Sequence, residues 1–197
     1  TAATGMDALT HAVEAYTTKN LKNPISDCLA REALSLLAGS LFQACQDGKN
    51  LEARENMLLG ASLAGMAFAN APVAAVHALA YPLGARFHIP HGLSNALVLG
   101  PVMRFNLEAV APLYAQLADI VLPGTLGSDR EKASALADYL GGLAGELGLA
   151  TRLRDLGIVE SDIEALAVDA MKQQRLLGNN PREVCLDDVR SIYMEIL

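Results

Sequence analysis

The chain has 197 residues, 52% of them hydrophobic but only 5% aromatic, and it contains no tryptophan. A net charge of −7 and the lack of any Lys/Arg stripe argue against nucleic acid or an anionic membrane surface as a partner. The apolar residues are mainly Ala, Leu, Val and Met, enough for one buried core and a palette that favours helices over strands. An all-α domain over residues 1–197 is therefore expected, with about eight helices and no substantial sheet.

Thr4 is placed to cap a first helix over Gly5–Thr18, with Asp7 near its favourable N-terminal end. Asn23-Pro24 reads as a cap followed by proline at the first helical position, opening a helix that runs to about Cys45. A turn over residues 46–50 precedes a helix from Leu51 to Asn70, ended by Pro72. Val73–Phe87 is a further helix carrying His77, with Pro82 as a kink or an end. His88 to Gly92 is a turn into a helix from about His91 to Arg104, and Pro112–Leu122 is a separate helix. Asp129–Leu147 is long and amphipathic and is stopped by Gly148. Another helix starts at Ser161-Asp162 and stops before Gly178, and Asp187–Leu197 closes the chain.

Leu58 to Ala85 carries no Asp, Glu, Lys or Arg, and 28 such residues are enough to span a bilayer. Asn70 and Pro72 break the run into pieces too short to do so, so two successive core helices are expected. Ala61, Gly65 and Ala69 recur every four residues as a stripe suited to close helix contact. Cys28, Cys45 and Cys185 fit no disulfide or zinc-ribbon spacing and are expected as buried free thiols of a cytoplasmic protein. The first residue is Thr, and no signal-peptide pattern follows it, as in the second half of a longer protein.

The chemistry is concentrated in the histidines. Asp7 and His11 stand four apart, which puts both side chains on one face of a helix. His77 and His91 follow from distant segments. Each pair alone is a weak signal. Together, three imidazoles and one carboxylate suit Fe(II), Zn(II) or Ni(II) and leave room for a substrate oxygen. A purely structural zinc site would more often use cysteine.

The segment Thr4-Gly-Met-Asp-Ala-Leu-Thr-His11-Ala-Val-Glu-Ala-Tyr16 resembles the first metal segment of iron-containing (group III) alcohol dehydrogenases. His77-Ala-Leu-Ala-Tyr-Pro-Leu-Gly84, followed by Ile89-Pro-His91-Gly-Leu-Ser-Asn-Ala96, resembles the second. The likeness covers the whole chain as that family's helical C-terminal domain, of the dehydroquinate synthase-like fold. It implies Asp7, His11, His77 and His91 as metal ligands, Fe2+ as the metal with Zn2+ possible, and NAD or NADP held by an N-terminal domain outside this chain. The implied reaction is hydride transfer between nicotinamide and a small alcohol, aldehyde or ketone, with the metal as Lewis acid. A homo-oligomer and an inactive isolated fragment are also implied. Glycerol dehydrogenases and dehydroquinate synthases share the fold but use three protein ligands, so a fourth matching position favours the alcohol dehydrogenase branch. A non-catalytic helical module clipped by metal is the reading from another class.

Many members of that family carry a second histidine four residues after the third ligand, where this chain has Tyr81. A phenol is a poorer proton relay at neutral pH than an imidazole, so Tyr81 is a catalytic candidate that instead hydrogen-bonds substrate or shapes the pocket. His88 matches no ligand position and is expected at the surface or behind the ligands. Asn95, one turn after His91, orients it, contacts substrate or packs. Glu14 is expected in solvent rather than behind a ligand, and Arg86 as an ordinary surface residue. Gly141, Gly142 and Gly145 lie in a helical pattern and are expected to serve tight packing, not phosphate binding.

Overall fold

A computed structural model describes all of residues 1–197. The first helix, α1, spans Ala2–Thr17 and starts at Thr1 rather than at Thr4. Ala2 and Ala3 are strong helix formers and extend it backward. The Thr4 hydroxyl lies inside the first turn and donates to the Thr1 carbonyl at 3.1 Å. Helix α2 (Pro24–Gln46) opens as expected, with Asn23 accepting from the Ser26 N–H at 2.9 Å and Pro24 at the first helical position. Asn50 caps α3 (Leu51–Asn70) in the same way through the Ala53 N–H.

Helix α4 (Ala75–Phe87) runs through Pro82 without ending, and the chain bends by 106° between α3 and α4. Helix α5 (His91–Val121) merges two expected helices across a kink at Val110, where φ is −136°. Pro112 has no N–H for the Glu108 carbonyl and its ring crowds that carbonyl, so the chain breaks there without leaving the helical path. Helix α6 (Asp129–Glu146) is opened by a capping box in which Ser128 and Glu131 bond reciprocally. Gly148, at φ +72°, provides the left-handed turn that follows it. Two short 3-10 turns precede α7 (Ile163–Met171), and α8 (Gln174–Leu177) and α9 (Leu186–Glu195) complete nine α-helices with no strand. The single helix expected from Ser161 is thus broken at Lys172-Gln173.

Helix α5 is the spine: it packs on α1, α4 and α6, while α2 pairs with α3. It is long and apolar enough to cross a membrane, yet 61% of its most apolar window is buried inside the fold, as in a core helix. The uncharged run does form two successive helices. The expected stripe, however, points the wrong way. Ala61 and Ala69 are exposed and a β-carbon on Gly65 would meet nothing, whereas Gly60, Ala64 and Ala67 face α2 and the core. Both rows have small residues at helical spacing, so composition alone does not choose between them. The three cysteines are free, but Cys28 and Cys185 are exposed and Cys45 is half-buried, so the expectation of burial fails. Of the glycines in α6, Gly141 packs closely, facing Gly100 of α5, while a β-carbon on Gly142 would meet nothing.

One glycine matters for the site. A β-carbon on Gly92 would stand 2.1 Å from the Ala3 carbonyl oxygen and 2.6 Å from its carbon. Backbone meets backbone there, and this crossing brings the start of α1 against the start of α5. Gly92→Ala is expected to destabilise the chain by about 3 kcal/mol, a fall of roughly 6–12 °C in melting temperature. Thermal unfolding followed by circular dichroism measures this, and an unchanged melting temperature would contradict the close crossing.

The C-terminal segment is fastened by asparagines that sequence inspection reads only as a helix stop. Asn179 donates to the Val73 carbonyl at 3.0 Å, and its own carbonyl accepts from the Lys19 N–H. Asn180 and Asn106 exchange amide bonds at 2.7 and 2.9 Å. The buried Tyr193 hydroxyl donates to Leu79 O at 2.6 Å, tying α9 to the helix that carries His77.

Candidate metal centre

Three helices bring the candidate ligands together. Asp7 and His11 leave one face of α1 a turn apart, His77 comes from the first turn of α4, and His91 begins α5. Asp7 Oδ1 is the hub, lying 3.5 Å from His91 Nε2, 3.6 Å from His77 Nε2 and 3.8 Å from His11 Nε2. Around an ion with bonds of about 2.1 Å, tetrahedral donor atoms stand roughly 3.4 Å apart. Asp7, His11 and His77 each offer a donor atom within 4.8 Å of the others. His91 falls outside that trio but makes the shortest approach to Asp7. One carboxylate and three imidazole nitrogens converging at these separations fit a divalent first-row cation.

Burial grades across the cluster. The His77 side chain is 2% exposed, those of His11 and Asp7 are about one-fifth exposed, and that of His91 is 46% exposed. The cluster is closed at its His77 end and open at its His91 end.

Glu14 lies behind His77. It is buried rather than solvated as expected, with one oxygen 2.6 Å from His77 Nδ1 and the other accepting from the Val76 N–H at 2.7 Å. That contact commits the Nδ1 hydrogen to the carboxylate and turns Nε2 toward Asp7. The signal was present in the sequence: Asp7, His11 and Glu14 fall at i, i+4 and i+7, a single helical face.

Charge in the cluster follows from this packing. Burial opposes a proton on His77, but hydrogen bonds to Asp7 and Glu14 outweigh it and push its pKa up to about 9. Burial and the neighbouring His77 charge push His11 down to about 4. For Asp7, burial is outweighed by the His77 and Asn95 hydrogen bonds, so its carboxyl sits below the ordinary range. In the metal-free cluster, His77 therefore holds the proton and His11 does not.

Phe68, which no motif singles out, stacks on the His11 ring with centroids 4.4 Å apart. His11 in turn stacks on His77 at 4.7 Å. Tyr81 is 41% exposed, with its ring 5.8 Å from that of His91 and 6.5 Å from that of His77. Phe68 and Tyr81 also line a cleft of about 490 Å³, together with Leu21, Val73, Arg175 and Leu176. The cleft thus adjoins the cluster and has a mainly apolar wall. Asn95 is fully buried, and its Nδ2 lies 2.6 Å from Asp7 Oδ1. His88 is exposed, holds the left-handed turn after α4 and stands outside the cluster, and Arg86 pairs with Asp169 at the surface.

The model of the Fe-containing alcohol dehydrogenase family, C-terminal, matches residues 1–197. A 1,3-propanediol dehydrogenase of Citrobacter freundii is 42% identical over 196 residues, covering 99% of this chain and 50% of that protein. The long-chain-alcohol dehydrogenase 1 of Geobacillus thermodenitrificans (strain NG80-2) is 44% identical over 195 residues, covering 98% of this chain and 49% of its own length. The crystal structure of a 1,3-propanediol oxidoreductase superposes with a TM-score of 0.96 at 40% identity, covering all of this chain and 51% of that one. The chain thus spans about half the length of the curated relatives it matches.

Proposed function

The chain belongs to the Fe-containing alcohol dehydrogenase family, and on that premise we propose that it is the metal-binding half of an NAD(P)-dependent alcohol dehydrogenase. The observation that carries this reading is the convergence of Asp7, His11, His77 and His91 from three helices beside an apolar cleft. These four side chains are the proposed ligands of one divalent cation, Fe2+ by the family's name, with Zn2+ suited to the same donors. When bound, the cation supplies Lewis acidity to the alcohol or carbonyl oxygen.

The chain's own residues do the rest. Asp7 contributes the negative charge, and Glu14 holds His77 with Nε2 forward. Phe68 braces His11 from the cleft side. Phe68, Val73 and Leu176 give an apolar wall for the carbon chain of a small alcohol or aldehyde. Tyr81, at the open end beside His91, orients the substrate hydroxyl. The nicotinamide nucleotide is assigned to residues outside these 197. The experiment is NAD(P)-dependent oxidation of primary alcohols by this chain joined to the nucleotide-binding half of a relative. Activity lost in His77→Ala is expected; equal activity with and without His77 would count against the proposal.

Protons compete with the cation at this site. His77 must give up the proton it holds to about pH 9 before Nε2 can bind. Apparent affinity for Zn2+ is therefore expected to rise about tenfold per pH unit up to about pH 9 and then level off. The metal-free chain behaves oppositely over part of this range. The raised pKa of His77 contributes stability that is complete below its ordinary 6.5 and is lost as pH climbs through about 9. The lowered pKa of His11 contributes stability present above 6.5 and lost as pH falls toward about 4. Together they predict a stability maximum near pH 6.5 without metal. Melting curves across pH and zinc titrations with a competing chelator check both halves.

A further inference from the structure

Asn95 makes more donor contacts than a carboxamide can satisfy, and its acceptor has none. Its Nδ2 lies 2.6 Å from Asp7 Oδ1 and 3.2 Å from Nε2 of both His77 and His91. An amide nitrogen carries two hydrogens for these three partners. Its Oδ1 is the one buried side-chain polar atom in the protein without a hydrogen-bond partner. Swapping the two ends of the amide would set an oxygen 2.6 Å from the Asp7 carboxylate, so the chemistry of the partners fixes the orientation. His77 Nδ1 faces Glu14, so it is the Nε2 edge of the ring that lies against Asn95. A side chain placed only to fill the core would satisfy both its ends. This one is placed by its donors.

Its position explains why. Asn95 stands one turn after His91 on α5 and reaches across to α1 and α4, touching three of the four proposed ligands, one from each helix. We propose that Asn95 is a positioning residue that gathers Asp7, His77 and His91 before the cation arrives, so that the site is assembled in the metal-free protein. The inference rests on the metal reading above and goes beyond it, since a ligand set does not require a preassembled state.

The test is a Co(II) titration of the 197-residue chain followed by visible absorption, with Asn95→Leu and Asn95→Asp beside the wild type. Leucine keeps the shape and removes the donors. Asn95→Leu is expected to bind on the order of 10–100-fold more weakly, with altered ligand-field bands and an unchanged circular dichroism spectrum. Wild-type affinity and bands in that variant would overturn the proposal. Asn95→Asp sets a carboxylate oxygen against Asp7, so its metal-free form melts below the wild type and Co(II) raises its melting temperature by more than it raises the wild type's. If Asn95→Leu does not fold, that comparison decides, and a Co(II)-induced shift no larger than the wild type's overturns the proposal. Absence of binding by the wild type would instead strike the metal reading itself, and this inference with it.

Discussion

Glu14→Ala lowers the stability of the metal-free chain by about 3–5 kcal/mol and weakens metal binding about 10–100-fold. Both effects come from one buried contact. Glu14 and His77 are 5% and 2% exposed in their side chains, so no solvent screens their pairing at 2.6 Å. Alanine strands the His77 Nδ1 hydrogen and the Val76 N–H together, and nothing nearby replaces either partner. It also frees the imidazole to turn, so Nε2 is no longer held toward Asp7. Glu14→Gln keeps an acceptor for Val76 and is expected to lose less of both. Chemical denaturation and metal titration read the two effects separately. A Glu14→Ala chain with wild-type stability and affinity would contradict the geometry.

The second large effect has a different signature. Asp7→Ala weakens metal binding by more than about 100-fold, beyond the range of supporting residues, while the metal-free chain loses less stability than it does in Glu14→Ala. Asp7 is the one anion among the four candidate ligands, and its Oδ1 lies within 3.8 Å of all three imidazole Nε2 atoms. Its side chain is 21% exposed, so the space it leaves is open to water. A substitution that removes metal and spares the fold marks a ligand, whereas one that damages both marks a support. Loss of stability in Asp7→Ala equal to that in Glu14→Ala would erase the distinction drawn between them.

The local signals in the sequence identify the helices well where the chemistry is local. Asn23-Pro24 and Gly148 act at their own positions, because capping and left-handed turns depend on a few neighbouring atoms. Boundaries fail where the wider fold decides. Pro112 opens a separate helix on paper, but α5 is held on α1 and α6 and absorbs the proline as a kink. The small-residue spacing of α3 points to the wrong face for the same reason: its partner, α2, is not visible in α3's own periodicity. At the site, His and Asp spacing and the two family-like segments are enough to pick out Asp7, His11, His77 and His91. Glu14 reads as solvated because a lone carboxylate on an alanine-rich helix usually meets water, and only the packing of α4 makes it a buried partner. Phe68 escaped entirely, since nothing in α3 announces that one of its faces lies over His11.

Metal content of the purified chain is the most direct measurement. The chain would be prepared anaerobically, supplied with Fe(II) or Zn(II), freed of excess ion and analysed by mass spectrometry beside His91→Ala. The wild type is expected to retain about one ion per chain, as a three-imidazole, one-carboxylate set should, and the variant to lose it. His91 is 46% exposed at the open end of the cluster, so its removal should leave the fold intact. Stoichiometric metal in both proteins would remove His91 from the ligand set, and no metal in either would contradict the proposed centre.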